Sequence, residues 1–285
     1  MKKNLNIYEI NTRVWIKRFY DGDNPITIDK VPGEYWDYLA GLGIDYIWLM
    51  GVWKTCKSTI NKYCFEEGLV KDYMIALRDW KRSDVIGSPY SINVYEVSPD
   101  LGGEECLLKL KEELNKRGMK LILDFVPNHY SADTQLLKTN SEIFLPADQE
   151  IYSRDQYTYF KPFDDEDIIY AHGRDPFFPA WQDTIQVNYF CEEARDFQLK
   201  LLKNISKLCD GLRCDMAMLI LNNVFTNTWG GTINKMGFQH PTTQFWQDAI
   251  TAVKVDNPEF IFLAEAYWDL EWELQQLGFD YTYDK

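Results

Sequence analysis

Three short segments place reactive side chains where an apolar run would otherwise simply end. They are Asp124-Phe-Val-Pro-Asn128-His129, Gly211-Leu-Arg213-Cys-Asp215 and Ala264-Glu265-Ala266. In parallel α/β folds the carboxyl ends of the strands converge on one face, so these segments would share a cleft. Two carboxylates in one cleft, one beside an arginine and one ending an apolar strand, suit glycoside chemistry. Arg213 would hold Asp215 ionised as a nucleophile, and apolar surroundings would raise the pKa of Glu265 for proton donation. An Asp two residues after an Arg also occurs as an ordinary surface ion pair, and the pair by itself leaves that reading open.

The elements that must carry these residues follow from periodicity. Leu5–Ile10 alternates like a strand, and Ile44–Met50, after Gly41-Leu42-Gly43, reads as a buried one. Leu107, Leu110 and Leu114 mark a helix face that Lys116-Arg117-Gly118 brings to a stop. A third strand, Leu121–Val126, follows at once. A helix with Ala194, Phe197, Leu201, Ile205 and Leu208 on one face leads to a fourth, Gly211–Met216; Phe260–Glu265 is a fifth and Phe279–Tyr283 a sixth. Such alternation implies parallel strands joined by crossover helices, which a doubly wound sheet and a barrel both satisfy. Between Tyr130 and Gln182 the rhythm breaks into aromatics, prolines and the acidic run Asp164-Asp165-Glu166-Asp167. A stretch that long predicts an inserted lobe rather than a simple loop.

The bulk properties exclude several classes. The 285 residues are 46% hydrophobic and 26% charged, enough to bury a core and too apolar for disorder. A net charge of −14 repels phosphate backbones, and no basic cluster offsets it, so no nucleic-acid partner is expected. No run of 18 apolar residues is present, so no membrane span is expected, and no signal-peptide-length apolar stretch follows Met1-Lys2-Lys3. Six cysteines (Cys56, Cys64, Cys106, Cys191, Cys209, Cys214) form no CxxC pair, which points to a reduced, cytoplasmic protein. Ten Trp and eighteen Tyr fit either core packing or a sugar-lined cleft.

In this order and spacing, the three segments resemble the first three signature regions of the α-amylase family of glycoside hydrolases. The loop Gly87–Gly102 and the stretch Trp181–Asn188 resemble the family's flanking pieces, so the likeness covers essentially the whole chain. The resemblance implies a parallel (β/α)8 barrel with a small lobe after strand three. The chain would then divide into 1–129 (strands one to three), 130–182 (the lobe) and 183–285 (strands four to six). It implies Asp215 as nucleophile and Glu265 as acid/base, with Asp124 and His129 at the sugar-binding subsite −1 and Arg213 also substrate-binding. Asn128 matches the asparagine that ties barrel to lobe, in many members through calcium; no cofactor is otherwise required. Tyr90, Trp268 and Trp53 are candidate sugar platforms, with core packing an equal reading for each, whereas His172 and His240 match nothing in the family.

The resemblance implies a retaining α-glucan hydrolase that cleaves α-1,4 bonds through a glycosyl-aspartate, with α-glucan or maltooligosaccharide as its partner. A transglycosylase of the same family and a non-catalytic glucan-binding fragment are the alternatives, and oligomeric state is left unspecified. Four departures stand out. The family's third carboxylate, a His-Asp pair at strand seven, has no counterpart before Lys285, and strands seven and eight are missing. The expectation is therefore of a piece of a longer protein, inactive alone. Met218-Leu219 stand where amylases often carry Lys-His. Ser88-Pro89 stand at the usual Gly-Tyr, shifting the stacking tyrosine to Tyr90 or removing it. Gln186-Val187-Asn188 lacks the aspartate that many members use for calcium.

Overall fold

The computed structural model describes residues 4–22, 24–163 and 167–284; three members of the predicted acidic run, Asp164 to Glu166, lie outside them. Six parallel strands form the central sheet. They are β1 (Ile7–Asn11), β2 (Tyr46–Met50), β3 (Lys120–Phe125), β4 (Gly211–Cys214), β5 (Ile261–Glu265) and β6 (Tyr281–Tyr283). Each lies within two residues of the apolar run that predicted it. They pair in chain order, one to six. A doubly wound sheet would reverse direction at a switch point, so the sequential order selects the barrel winding.

The sheet is also curled. If it were flat, β2 and β6 would lie four strand spacings apart, about 19 Å. Yet the Trp48 and Tyr283 rings meet with centroids 6.5 Å apart. The result is a truncated (β/α)8 barrel, a half-barrel whose inward side chains Tyr46, Trp48, Ile122 and Ile261 form their own small cluster. Among the described residues β1 pairs only with β2, and β6 only with β5.

The helices follow from amphipathic stripes. The helix α1 (Gly33–Gly41) buries Trp36 and Leu39. In α2 (Gly103–Lys116) Leu107, Leu110 and Leu114 are buried, acidic Glu104 and Glu105 occupy the first turn, and Gly118 at φ +77° ends it. The helix α3 (Glu192–Ile205) departs from its predicted stripe: Ala194, Gln198, Leu202 and Ile205 are buried, while Phe197 and Leu201 are only partly covered. Gln198 is drawn inward because Tyr130 reaches it from the core (3.4 Å). The helices α4 (Asn222–Met236) and α5 (Phe245–Asp256) bridge β4 to β5, and α6 (Glu271–Gln276) leads to β6.

Two excursions interrupt the winding. Residues 130–182 hold short antiparallel strands, Pro146–Ala147 and Tyr159–Phe160 flanking Ile169–Ala171. His129–Ser131 pairs with Thr184–Gln186 where the chain leaves and rejoins the barrel. The other excursion, after β2, carries helices Lys57–Tyr63 and Glu67–Ala76; the second buries no residue.

Candidate active site

Alternation along barrel strands sends every second side chain inward. The register sets Asp124 beside Arg213 and Glu265 beside Tyr283. Inward-pointing Trp48, Asp124, Arg213, Glu265 and Tyr283 therefore converge at the carboxyl ends of the strands, while Leu123, Leu212 and Phe262 face the helices. Gly211 begins β4 because a Cβ there would fall 2.5 Å from Ile261 Cγ1 and 3.0 Å from its carbonyl oxygen.

Arg213, at 1% exposure, is the hub. Its Nη1 donates to Asp215 (2.7 Å) and its Nη2 to Glu265 (2.5 Å), with Asp124 at 3.5 Å. Its Nε donates to the Tyr283 hydroxyl at 2.9 Å. The guanidinium lies 5.1 Å from the Trp48 ring and 5.3 Å from that of Tyr90. Burial opposes its charge, but Asp215 and Asp124 outweigh that and raise its pKa.

Asp215 extends β4, its N–H bonded to the Phe125 carbonyl (2.8 Å). Met216 then turns left-handed at φ 43°, a conformation that costs a non-glycine residue about 1–2 kcal/mol. The turn aims the Met216 N–H at Glu265 Oε2 (3.0 Å). Glu265 Oε1 accepts from the Tyr267 hydroxyl at 2.9 Å. The apolar surroundings expected for Glu265 are thus replaced by three donors, because β4 and β5 are neighbours and share one guanidinium.

Asp124 accepts from Trp48 Nε1 (3.1 Å) and the Gly51 N–H (3.3 Å). Burial raises its pKa to about 7 in spite of Arg213. His129 is buried against Trp181, ring centroids 5.3 Å apart, and burial lowers its pKa to about 4, so its imidazole is neutral at pH 7. Tyr90 keeps contact with Arg213 despite the altered Ser88-Pro89. Trp268 lies apart: 36% exposed, at φ 64°, its ring against Phe177 at 4.9 Å. Trp53 is buried to 1% with its indole N–H on the Asp124 carbonyl (2.8 Å), so it supports β3 and offers no sugar platform. Met218 and Leu219 are buried in the core. His172 stacks on Phe160 within the core, and His240 is exposed.

Asn128 does join the barrel strand to the returning segment, but through Gln186, whose Nε2 donates to Asn128 O and Oδ1. To one side, a cavity of about 610 Å³ opens between the excursion after β2 and residues 157–183, walled by Tyr63, Tyr73, Trp80, Tyr157, Asp84 and Asp183.

A family model described as the α-amylase catalytic domain matches residues 13–279. The chain belongs to the α-amylase family. Alpha-amylase 3 of Dictyoglomus thermophilum is 22% identical over 278 residues, 96% of this chain and 45% of the relative. An α-amylase from Geobacillus thermoleovorans, solved with acarbose, superposes with a TM-score of 0.57 at 20% identity, over 98% of this chain and 51% of that one. A mutant of the trehalulose synthase MutB superposes with a TM-score of 0.67 at 19% identity, over 99% and 49%. The chain thus spans about half the length of the relatives it matches.

Sequence reasoning passed over Trp48, Tyr267 and Tyr283, three side chains with polar tips that hold this α-amylase-family cluster together. The signal was present in strand parity: Trp48 stands two residues before the end of β2, and Tyr283 is the last residue of β6.

Proposed function

We propose that this protein is a retaining α-glucan hydrolase of the α-amylase family, cleaving α-1,4 bonds through a covalent glycosyl–Asp215 intermediate. The observation that supports it is the Arg213 fork, which holds Asp215 on one terminal nitrogen and Glu265 on the other. Carboxylates so closely bridged suit the separation of about 5–5.5 Å used in retention better than the 6.5–9.5 Å of inversion. Asp215 attacks the anomeric carbon, and Glu265, once protonated, gives its proton to the leaving oxygen and later takes one from water. Asp124, His129 and Tyr90 line the −1 sugar, and Trp268 offers a stacking face farther out. Residues 130–182 act as the lobe that walls the cleft, and glucose units beyond the cleaved bond extend into the cavity beside Trp80.

Transfer to a sugar hydroxyl instead of water is the second reading, favoured by the likeness to a protein named a synthase. Six free cysteines support a reduced, cytoplasmic setting. No described helix is long and apolar enough to cross a membrane.

With the barrel closed by further strands, Asp215→Asn should abolish most turnover while maltooligosaccharide affinity stays within a few-fold. Glu265→Gln should slow natural glucans on the order of 10²–10⁴-fold but spare the first step on substrates whose leaving group needs no proton. Wild-type turnover in the Asn variant would remove Asp215 from the role. Residues 1–285 by themselves, with both sheet edges open, should release no reducing sugar from starch.

A further inference from the structure

The Gln186 side chain is wholly buried at the end of the strand that returns to the barrel. Its Nε2 donates to three oxygens: Asn128 O (2.8 Å), Asn128 Oδ1 (3.0 Å) and Val187 O (3.0 Å). An amide nitrogen carries two hydrogens, so three acceptors share them. Turned over, the amide would press its own oxygen against these three; the donor end therefore faces inward. The opposite atom, Oε1, has no partner among the described residues. The oxygen cage sets the orientation of this side chain even at the cost of its own acceptor.

A cage of oxygens converging on one point is what a hard cation uses, and the family resemblance places calcium at Asn128. The fit fails on chemistry. Calcium takes six to eight oxygens, carboxylates among them, at about 2.3–2.6 Å. Here two main-chain carbonyls and one amide oxygen, all neutral, stand at N–H···O distances around a nitrogen. We infer that the Gln186 amide occupies the cation's place in this chain, so that the joint between β3 and the returning strand is closed without metal. Gln186 is thereby a positioning residue. It fixes Asn128 directly, and its main chain pairs with His129, the imidazole of the candidate site. The inference does not depend on the roles of Asp215 and Glu265.

The test is thermal unfolding of the purified protein in EDTA and in calcium, with calcium uptake followed by titration calorimetry. The parent should melt at the same temperature in both and take up no calcium. Gln186→Glu keeps the outline but sets an oxygen against three oxygens. Its Tm should fall by roughly 5–10 °C, and calcium should recover part of the loss. Gln186→Leu, which leaves the cage unpaired, should fall similarly and ignore calcium. Should the Glu variant not fold, Gln186→Asp gives the shorter carboxylate for the same comparison. Stoichiometric calcium uptake by the parent, or a lower parent Tm in EDTA, would overturn the inference. So would a carboxylate variant that responds to calcium no more than the parent does.

Discussion

Two buried polar clusters sit a few residues apart, at Asp124 and at Asn128, and they balance charge in opposite ways. The first gathers three carboxylates around one guanidinium, with pKa values displaced on Asp124 and Arg213. The second is neutral throughout: an amide donor among three uncharged oxygens. A joint that only has to hold is most stable with neutral hydrogen bonds, since buried ions carry a desolvation penalty. Charge in excess of its counter-ion at the strand ends is what the proposed exchange of protons and covalent bonds there calls for. Burial raises the pKa of Asp124 to about 7.

The sharpest way to break the contrast is Arg213→Met. It removes the cation that, among the described residues, touches three buried carboxylates, and should cost about 3–5 kcal/mol in denaturant unfolding at neutral pH. A cost below about 1 kcal/mol would mean that the carboxylates are solvated or already protonated and that no charge imbalance exists.

A smaller effect separates Asp124 from the histidines. The folded pKa of His129 and His172, about 4, lies below the ordinary 6.5, so between those values the unfolded chain binds more protons, and acidification destabilises. Asp124 works the other way. Its folded pKa of about 7 exceeds the ordinary 3.8, so its contribution is fully present below about pH 4 and lost as pH rises through 7. The two trends oppose each other between about pH 4 and 6.5. Asp124→Asn should therefore steepen the acid loss of stability by about one proton in that window, read from unfolding free energies at several pH values. An unchanged slope would show that Asp124 titrates alike in both states.

Sequence alone made the sheet legible, because buried parallel strands are short apolar runs, and three of the six end in reactive polar residues. The triad of Asp215, Arg213 and Glu265 was legible for the same reason. The surroundings of Glu265 were not: Arg213 lies 52 positions away, and only the lateral order of the strands brings it within reach. Likewise the sequence left Trp53 open between platform and core, because composition cannot tell which face of a short strand an indole takes, and its burial decides for the core. The helices Lys57–Tyr63 and Glu67–Ala76 escaped notice since Met74, Ile75 and Leu77 are exposed and leave no clean apolar stripe. Gln186-Val187-Asn188 was read only as a segment without an aspartate; the three acceptors of Gln186 are main-chain and amide oxygens that no side-chain pattern announces.

The role proposed for Asp215 is to form the covalent bond to sugar. The direct measurement is to incubate the protein, in a preparation whose barrel is closed, with an activated fluoroglucosyl substrate that forms the intermediate but breaks it down slowly. The digested protein is then mapped by mass spectrometry. One added glycosyl group is expected on the peptide carrying Gly211–Met216, with fragmentation placing it on Asp215 and none in Asp215→Asn. A label on another carboxylate, or turnover that releases sugar of inverted configuration with no label at all, would contradict it.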